Sequence, residues 1–244
     1  MANVIVMTAG LAGSSVLTGL IARAGYWTGH KTFRKQDYDT FENERLIELN
    51  QKLFDVVGYT GNYTEVFPGW VIDAIERKID QIDTTPFRDF IADCERNSPW
   101  IWKDPRLNLT IRAWARWLDL KNTRFIMISR EEKQSWISST LRRQIQTFSY
   151  HASYNSRVMR SIQEFFQQNN LQNLSVVYEN LMVSPEQTLE ELNQFLGTQL
   201  TISDLESIYA RDLYRRQHGT RSAAKALLIY LKNYRERRFI DDAP

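Results

Sequence analysis

Cysteine is nearly absent from this chain, and the one residue present, Cys94, limits the chemistry that the protein can use. A single cysteine cannot form a disulfide within the chain, and it excludes a zinc site built from several thiolates. Scarce cysteine is also typical of a reducing compartment. The sequence shows no basic start followed by an apolar stretch and a small-residue cleavage site, so we expect a cytoplasmic protein.

Long apolar runs and a strong net charge are also missing. The first apolar run is far shorter than the roughly 20 residues that span a bilayer. The 244 residues carry 31 Lys or Arg and 29 Asp or Glu, a formal net charge of +2. We therefore expect no membrane and no nucleic-acid partner. Residues 211–238 are an exception, because this stretch contains nine basic residues and only two acidic ones. A solvated helix face or contact with an anionic ligand would each explain that bias.

Short apolar runs alternate with helical patterns along the whole chain. The patterns predict strands at residues 4–8, 99–103, 124–129 and 175–178. They predict helices after residue 15 and at residues 41–54, 69–82 and 185–196. A capping box at Ser184 opens the last of these helices, and Gly197 ends it. A second capping box, at Ser203, predicts the start of another helix. This alternation favours an α/β fold, a P-loop-like three-layer sandwich with a central, mostly parallel sheet of about four or five strands flanked by helices.

The loop after the first strand lacks the lysine of a nucleotide-triphosphate loop. Residues 10–15 are small, and a helical pattern begins directly after them. Backbone N–H groups and a helix dipole would converge there, and such a point binds an anion, usually a phosphate. Because the GxxxxGK[ST] pattern is absent, we do not expect the usual triphosphate chemistry.

In a parallel sheet, ligands bind beyond the carboxyl ends of the strands, so the segments that follow the other strands are the next candidates. Lys103 and Arg106 flank Asp104 after the second predicted strand. Arg130 follows the third, and Ser138 lies eight residues later. Two cations at one strand end, and an arginine and a hydroxyl at another, are suited to binding phosphate or sulfate groups.

Taken together, these segments resemble the PAPS-dependent sulfotransferases, PAPS being 3′-phosphoadenosine 5′-phosphosulfate. Residues 11–15 correspond to the family's 5′-phosphosulfate loop, and residues 103–106 to a Lys-Asp-Pro box found in bacterial members. Arg130 and Ser138 match the spacing of its 3′-phosphate site. Residues 178–181 match its Tyr-Glu-Asn-Leu stretch, and residues 185–197 the following Pro-Glu and Phe-Leu-Gly. The resemblance covers residues 3 to 197.

The resemblance implies metal-independent transfer of a sulfuryl group from PAPS to a hydroxyl or amine of a small-molecule or carbohydrate acceptor. Lys103 would stabilise the sulfuryl oxygens. The residues implied in binding PAPS, or its product PAP, are Leu11, Ala12, Gly13, Ser14, Ser15, Arg106, Arg130, Ser138 and Tyr178. The chain has no internal repeat, low-complexity run or linker, so we expect one sulfotransferase-like domain over residues 1–244. Within it we expect residues 26–98 to be a helical insert on the acceptor side and residues 198–244 to be a basic helical segment.

The sequence leaves the general base open. Glu42 is favoured because residues 41–43 precede a predicted helix, as in a glutamate stretch of bacterial members, and His30 is the next candidate. An acid at the start of a helix, complementing its dipole, is the alternative interpretation of Glu42. The remaining candidates are Asp37, Asp39, Glu44, His151 and His218.

The chain departs from the family at Leu11, where a lysine or arginine usually starts the loop. Loss of that cation could cost on the order of 3 kcal/mol of transition-state stabilisation. A nucleotide-binding member with weak or no activity is therefore an alternative function. A P-loop kinase-like phosphotransferase is a second alternative, although the sequence lacks an obvious magnesium carboxylate. Self-association and the identity of the acceptor are left open.

Overall fold

Four parallel strands form the central sheet. The computed structural model of the chain describes residues 1–36, 38–209 and 220–236. The strands are β1 (Asn3–Thr8), β4 (Ile101–Lys103), β5 (Thr123–Ser129) and β6 (Asn173–Val177), and their order in the sheet is β4-β1-β5-β6. All three pairings are parallel. The predicted α/β fold with a parallel central sheet is confirmed, with four strands.

Helices cover both faces of this sheet, which explains why β1 is a continuous apolar run. Ile5 and Met7 point into one core, and Val4 and Val6 point into the other, because successive side chains alternate along a strand. The helices over the first core are α2 (Glu44–Val56), α3 (Gly69–Lys78), α4 (Thr85–Arg96), α5 (Leu107–Trp114) and α7 (Phe148–Gln168). Those over the second core are α1 (Ser14–Ala22), α8 (Tyr178–Val183), α9 (Pro185–Leu196) and α10 (Ile202–Ile208).

Two further helices extend the fold beyond these layers. Helix α6 (Glu132–Leu141) follows β5, and α11 (Thr220–Lys232) packs against it through an edge-on contact of Trp136 with Tyr230. Much of the basic stretch predicted at the C-terminal end, including Arg211, lies outside the described residues. Within residues 1–36, 38–209 and 220–236, every helix is too short or too polar to cross a membrane.

A two-stranded hairpin replaces the start of the helix predicted at residues 41–54. Strands β2 (Thr32–Arg34) and β3 (Asp39–Asn43) pair antiparallel, and α2 begins only at Glu44. The Asn43 side chain accepts a hydrogen bond from the Arg45 N–H and caps that helix. Glu42 therefore lies in a strand, and its interpretation as a helix N-terminal acid is wrong. Residues 26–98 thus contain a hairpin as well as three helices.

The two predicted capping boxes are also wrong, although both helices exist. Ser184 precedes α9 without a side-chain cap hydrogen bond, and Pro185 and the left-handed Gly197 mark that helix's ends. At α10 the box forms two residues before Ser203, where Thr201 and Asp204 exchange side-chain and backbone hydrogen bonds. Several serines and acids near a helix start match the pattern, and local geometry decides which of them caps the helix.

The hairpin packs closely against α1, and we predict that Gly19→Ala will destabilise the fold. An added Cβ at Gly19 would lie 2.6 Å from the Phe41 ring and 3.1 Å from Ile208. Overpacking of this kind costs about 1–3 kcal/mol, although alanine is otherwise favoured over glycine in a helix. Urea unfolding measures the change.

Gly69→Ala is the matched control, because an added Cβ there would meet its nearest neighbour at 3.8 Å. We expect the control to change the free energy of unfolding by no more than about 1 kcal/mol, in the stabilising direction. Equal unfolding midpoints for Gly19→Ala and the wild type would contradict the predicted crowding.

Candidate functional site

A cavity of about 1050 Å³ lies at the carboxyl edge of the sheet. The four strands are parallel, so the segments that follow them meet at that edge. Most of the residues proposed from sequence line this cavity: Leu11, Gly13, Ser14, Ser15, Glu42, Lys103, Arg106, Arg130, Ser138 and Tyr178. Segments far apart in the sequence therefore share one space.

The loop after β1 turns sharply into α1. Gly13, with φ of 77°, directly precedes the helix, and Leu11 has a positive φ of 51°. The amides of Ser14 and Ser15 lie in the first helical turn, where backbone N–H groups have no intrahelical acceptor. An added Cβ at Gly13 would lie 2.1 Å from the Tyr178 ring, so only glycine allows this ring to pack on the loop. The result is a tight turn into a helix N-terminus, covered by an aromatic ring, and this geometry is suited to an anion.

Lys103 ends β4 and is 3% exposed. Its Nζ lies 2.5 Å from Glu42 Oε1, and it also donates to Ser15 Oγ at 3.3 Å and to the Thr40 carbonyl at 3.5 Å. A buried ammonium group needs such partners, because an unpaired charge away from water is costly. These contacts bring together the end of β4, the start of α1 and the hairpin strand β3.

A buried polar network supports the segment after Lys103. Asp104 Oδ1 accepts hydrogen bonds from the backbone N–H and Nη1 of Arg106, both at 3.0 Å. Asp104 Oδ2 accepts from Asn50 Nδ2 at 2.8 Å, and Asn50 Oδ1 accepts from Thr110 and Trp114. The Arg106 guanidinium lies 5.2 Å from the centre of the Tyr63 ring. The Arg106 guanidinium is thus hydrogen-bonded to Asp104 and lies over the Tyr63 ring. These two contacts hold its positive charge at the cavity wall.

Arg130 and Ser138 are in direct contact on the other side of the cavity. Arg130 Nη1 donates to Ser138 Oγ at 3.2 Å and to the Leu11 carbonyl at 3.0 Å. Its Nε lies 3.4 Å from Glu179 Oε1, and its guanidinium is 5.1 Å from the centre of the Tyr178 ring. Glu179 also accepts the Glu131 N–H, and thus braces the start of α6. Three separate segments of the chain therefore restrain one arginine.

Two of the residues proposed from sequence do not line the cavity. Ala12 is buried in the loop. His30 lies at the surface, where its Nε2 is 3.0 Å from Asp93 Oδ2 and its ring meets Trp27 edge-on. Among the other candidate bases, Glu44 pairs with Lys31 in the first turn of α2, whereas Asp39 lines the cavity. Asp37 and His218 lie outside the described residues.

His151 lines the cavity, but its ring is engaged on both sides. Its Nε2 is 2.8 Å from Ser135 Oγ, and its Nδ1 is 3.0 Å from Gln146 Oε1. Burial lowers its pKa to about 4, because the charged form loses its hydration. The imidazole is therefore neutral at pH 7, and both of its nitrogens are already hydrogen-bonded.

Several lining residues escaped the sequence interpretation. Phe33, Lys35 and Tyr38 come from the hairpin, for which no strand was predicted. Tyr154 reaches the cavity from α7, and its hydroxyl donates to the carbonyls of Ala9 and Tyr63. Residues 39–43 show no alternation of apolar and polar residues, so no local pattern marks the strand. No local pattern marks Tyr154, which looks like any other aromatic residue of an amphipathic helix.

The cavity is strongly biased toward positive charge. Five lysines or arginines line it, against two acidic residues. Asp39, one of those acids, accepts from Thr32 and lies 3.4 Å from Arg34. A concave site lined by one sign of charge concentrates ligands of the opposite sign. The cavity is therefore suited to a ligand that carries several negative charges.

The comparisons with known proteins agree on the fold. No protein-family model and no curated protein matches the chain. Its structure is similar to the sulfotransferase domain of the olefin synthase from Synechococcus PCC 7002, with a TM-score of 0.55 and 18% identity over 99% of this chain and 95% of that one. It is also similar to the sulfotransferase domain from the curacin biosynthetic pathway, with a TM-score of 0.52 and 16% identity over 91% of this chain and 82% of that one. The chain has the fold of these sulfotransferase domains.

We predict that His151 makes stability depend on pH. The lowered pKa means that the unfolded chain binds a proton between about pH 6.5 and 4 while the native chain does not. Stability therefore falls as the pH falls through this window, by about 2 kcal/mol between pH 7 and pH 5. Urea unfolding at the two pH values should show a smaller loss for His151→Gln than for the wild type. Parallel losses in the two proteins would rule out this assignment.

Proposed function

We propose that the protein is a PAPS-dependent sulfotransferase that acts on a hydroxyl-bearing acceptor. The observation that carries the proposal is the meeting of three groups in one cavity: the turn at Gly13–Ser15, the Lys103–Glu42 pair, and the Arg130–Ser138 pair. The fold of sulfotransferase domains supports the same conclusion. The turn lies between the two pairs, because β1 lies between β4 and β5 in the sheet. We assign the turn and the Arg130–Ser138 pair to the two ends of the nucleotide, and the Lys103–Glu42 pair to the reacting centre.

The cavity fits a nucleotide with two separate anionic groups. The amides and hydroxyls of Ser14 and Ser15 are suited to the 5′-phosphosulfate, because a helix N-terminus favours negative charge. Arg130 and Ser138 are suited to the 3′-phosphate, and Tyr178 offers an aromatic surface between the two sites. The volume of about 1050 Å³ is at the upper end of ordinary ligand sites, so a nucleotide and an acceptor can be held together.

The reacting centre would lie beside Lys103 and Glu42. PAPS supplies a sulfuryl group bonded to its 5′-phosphate oxygen. A bond forms between the acceptor oxygen and sulfur, the bond from sulfur to the 5′-phosphate oxygen breaks, and PAP leaves. Glu42 takes the proton of the acceptor hydroxyl as general base. Lys103 stabilises the charge that develops on the sulfuryl oxygens. Because Ser15 and Thr40 already hold its ammonium group in place, the site needs little reorganisation during the reaction.

Leu11 leaves the leaving-group side of this site without the usual cation. Its carbonyl accepts a hydrogen bond from Arg130, so the loop backbone is anchored although the side chain is apolar. Lys103 is in contact with the helix end of the turn, through Ser15, and with the proposed general base Glu42. We infer that Lys103 serves both the sulfuryl oxygens and the leaving oxygen, which makes the enzyme slower than a member with a basic residue in the loop.

Nucleotide binding tests the proposal directly. Isothermal calorimetry would compare PAP with AMP, which lacks the 3′-phosphate. We expect the wild type to prefer PAP, and Arg130→Ala to lose about 10- to 100-fold of that preference, because a hydrogen bond to a charged group contributes about 1.5–3 kcal/mol. Ser138→Ala should lose a smaller part.

Arg116→Ala is the matched control, because this arginine pairs with Asp80 at the surface, away from the cavity. Thermal melts establish that each variant is folded. Equal affinities for PAP and AMP in the wild type would overturn the 3′-phosphate assignment, and magnesium-dependent ATP binding without PAP binding would favour a kinase-like function instead.

We further predict that Leu11→Lys will raise the rate of sulfuryl transfer. Lysine and leucine tolerate the positive φ of this position equally, so the loop should keep its shape. An added cation near the leaving oxygen should increase kcat by about 10- to 100-fold. This is less than the roughly 100- to 1000-fold effect on kcat of a well-placed electrostatic group. Transfer from ³⁵S-labelled PAPS measures the effect, with Leu11→Met as the uncharged control. A rate unchanged by lysine would mean that the Leu11 side chain does not reach the leaving group.

A further inference from the structure

The β2–β3 hairpin forms the cavity wall that carries Glu42. Phe33 of β2 is the cross-strand partner of Glu42, and such partners project their side chains from the same face of a hairpin. Both residues line the cavity. The Phe33 side chain is therefore a neighbour of the proposed general base, and an acceptor whose hydroxyl meets Glu42 lies against this hairpin.

The hairpin presents two partly exposed aromatic rings to the cavity. Phe33 is 42% exposed and Tyr38 is 41% exposed, and both are lining residues. Large aromatic side chains in a protein of this size are usually buried, as most are in the two cores. Two such rings beside a polar reacting centre provide a surface for a flat or apolar ligand body.

Lys35 provides a charge at the same place. It lines the cavity, its backbone N–H donates to the Tyr38 carbonyl at 3.0 Å, and its Nζ lies 5.7 Å from the centre of the Tyr38 ring. Lys103, Arg106 and Arg130 each have a carboxylate within 4 Å. For Lys35, no carboxylate of residues 1–36, 38–209 or 220–236 comes that close.

Arg142 is the other lining cation without a carboxylate at that distance in the described part of the chain, but it lies on the opposite side of the site. It follows Ser138 by four residues, at the end of α6. Residues four apart on a helix lie on one face, so Arg142 extends the proposed 3′-phosphate site. Lys35 is thus the cation available to the acceptor.

We propose that the acceptor is an acidic hydroxy compound with a ring or similar apolar body. This inference rests on the proposed sulfotransferase function. The hydroxyl meets Glu42, the body packs on Phe33 and Tyr38, and the acidic group pairs with Lys35. Phe33 and Lys35 are two residues apart, which is about 7 Å along an extended chain. That spacing matches an acceptor made of one aromatic ring and a short acidic side chain.

The test compares an anionic acceptor with its neutral methyl ester, which keeps the same ring, hydroxyl and chain. They are 3-(4-hydroxyphenyl)propionate and its methyl ester, assayed for transfer from ³⁵S-labelled PAPS. We expect kcat/KM of the wild type to be about tenfold higher for the acid than for the ester, the size of one exposed charge-assisted contact. Lys35→Met should bring the acid-to-ester ratio close to one. Lys35→Glu should invert it and favour tyramine, the corresponding amine.

Lys31→Met is the matched control. This lysine is on the same segment but pairs with Glu44 and does not line the cavity, so the acid-to-ester ratio should stay at the wild-type value. Calorimetric binding of the acid to the PAP-loaded protein gives a second readout that does not depend on turnover. Lys35→Met should weaken that binding by a similar factor, and thermal melts verify folding.

The outcomes separate the inference from the function on which it rests. Failure of the wild type to bind PAP would overturn the proposed function. If PAP binds and neither phenol is sulfated, the acceptor inference is overturned and the proposed function stands. If PAP binds and both phenols are sulfated with equal kcat/KM, the acidic-acceptor inference is overturned while the function stands. A preference for the acid that survives in Lys35→Met would also overturn it, because another cation would then recognise the acid.

Discussion

A buried ammonium group at the end of a strand is the constraint on which the site depends. Lys103 is almost fully enclosed, so its charge needs acceptors, and they come from three separate parts of the chain. Glu42 and Thr40 belong to the hairpin, and Ser15 belongs to the first helix. One ion therefore holds the turn after β1, the central sheet and the hairpin in a common geometry, and it places a carboxylate and a cation side by side in the cavity.

The other charged groups repeat this arrangement with different consequences. Arg130 ties the loop carbonyl of Leu11 to α6 and to Glu179, and Asp104 orients Arg106 through a network that reaches Asn50 deep in the core. These residues are restrained before any ligand arrives, as preorganised electrostatic catalysis requires. Lys35 differs, because it sits at an exposed hairpin and has no carboxylate within 4 Å among the described residues. Under the proposed function, the paired cations would recognise the nucleotide, and Lys35 would be a separate charge for the acceptor.

Local patterns were sufficient where an element is set by its own residues. The continuous apolar runs of β1 and β5 indicate strands covered on both faces, and Pro185 with Gly197 marks the two ends of α9. Local patterns failed at residues 41–43, which were predicted as the start of a helix, because this stretch joins directly to the apolar spacing of α2 and its partner strand lies across a turn. Phe41 has a positive φ of 56°, a backbone conformation that phenylalanine rarely adopts. Strand pairing and the packing of its ring against Gly19 therefore override its local backbone preference.

The sequence by itself determined the alternation of strands and helices, and with it the edge at which Gly13, Lys103, Arg130 and Tyr178 must gather, because parallel strands end on the same side. Only the tertiary structure decided which side chains touch there. It placed Glu42 against Lys103 and Ser138 against Arg130, left His30 at the surface, and brought Phe33 and Lys35 to the cavity. Contacts between residues dozens of positions apart depend on how elements pack, and local spacing carries no record of that packing.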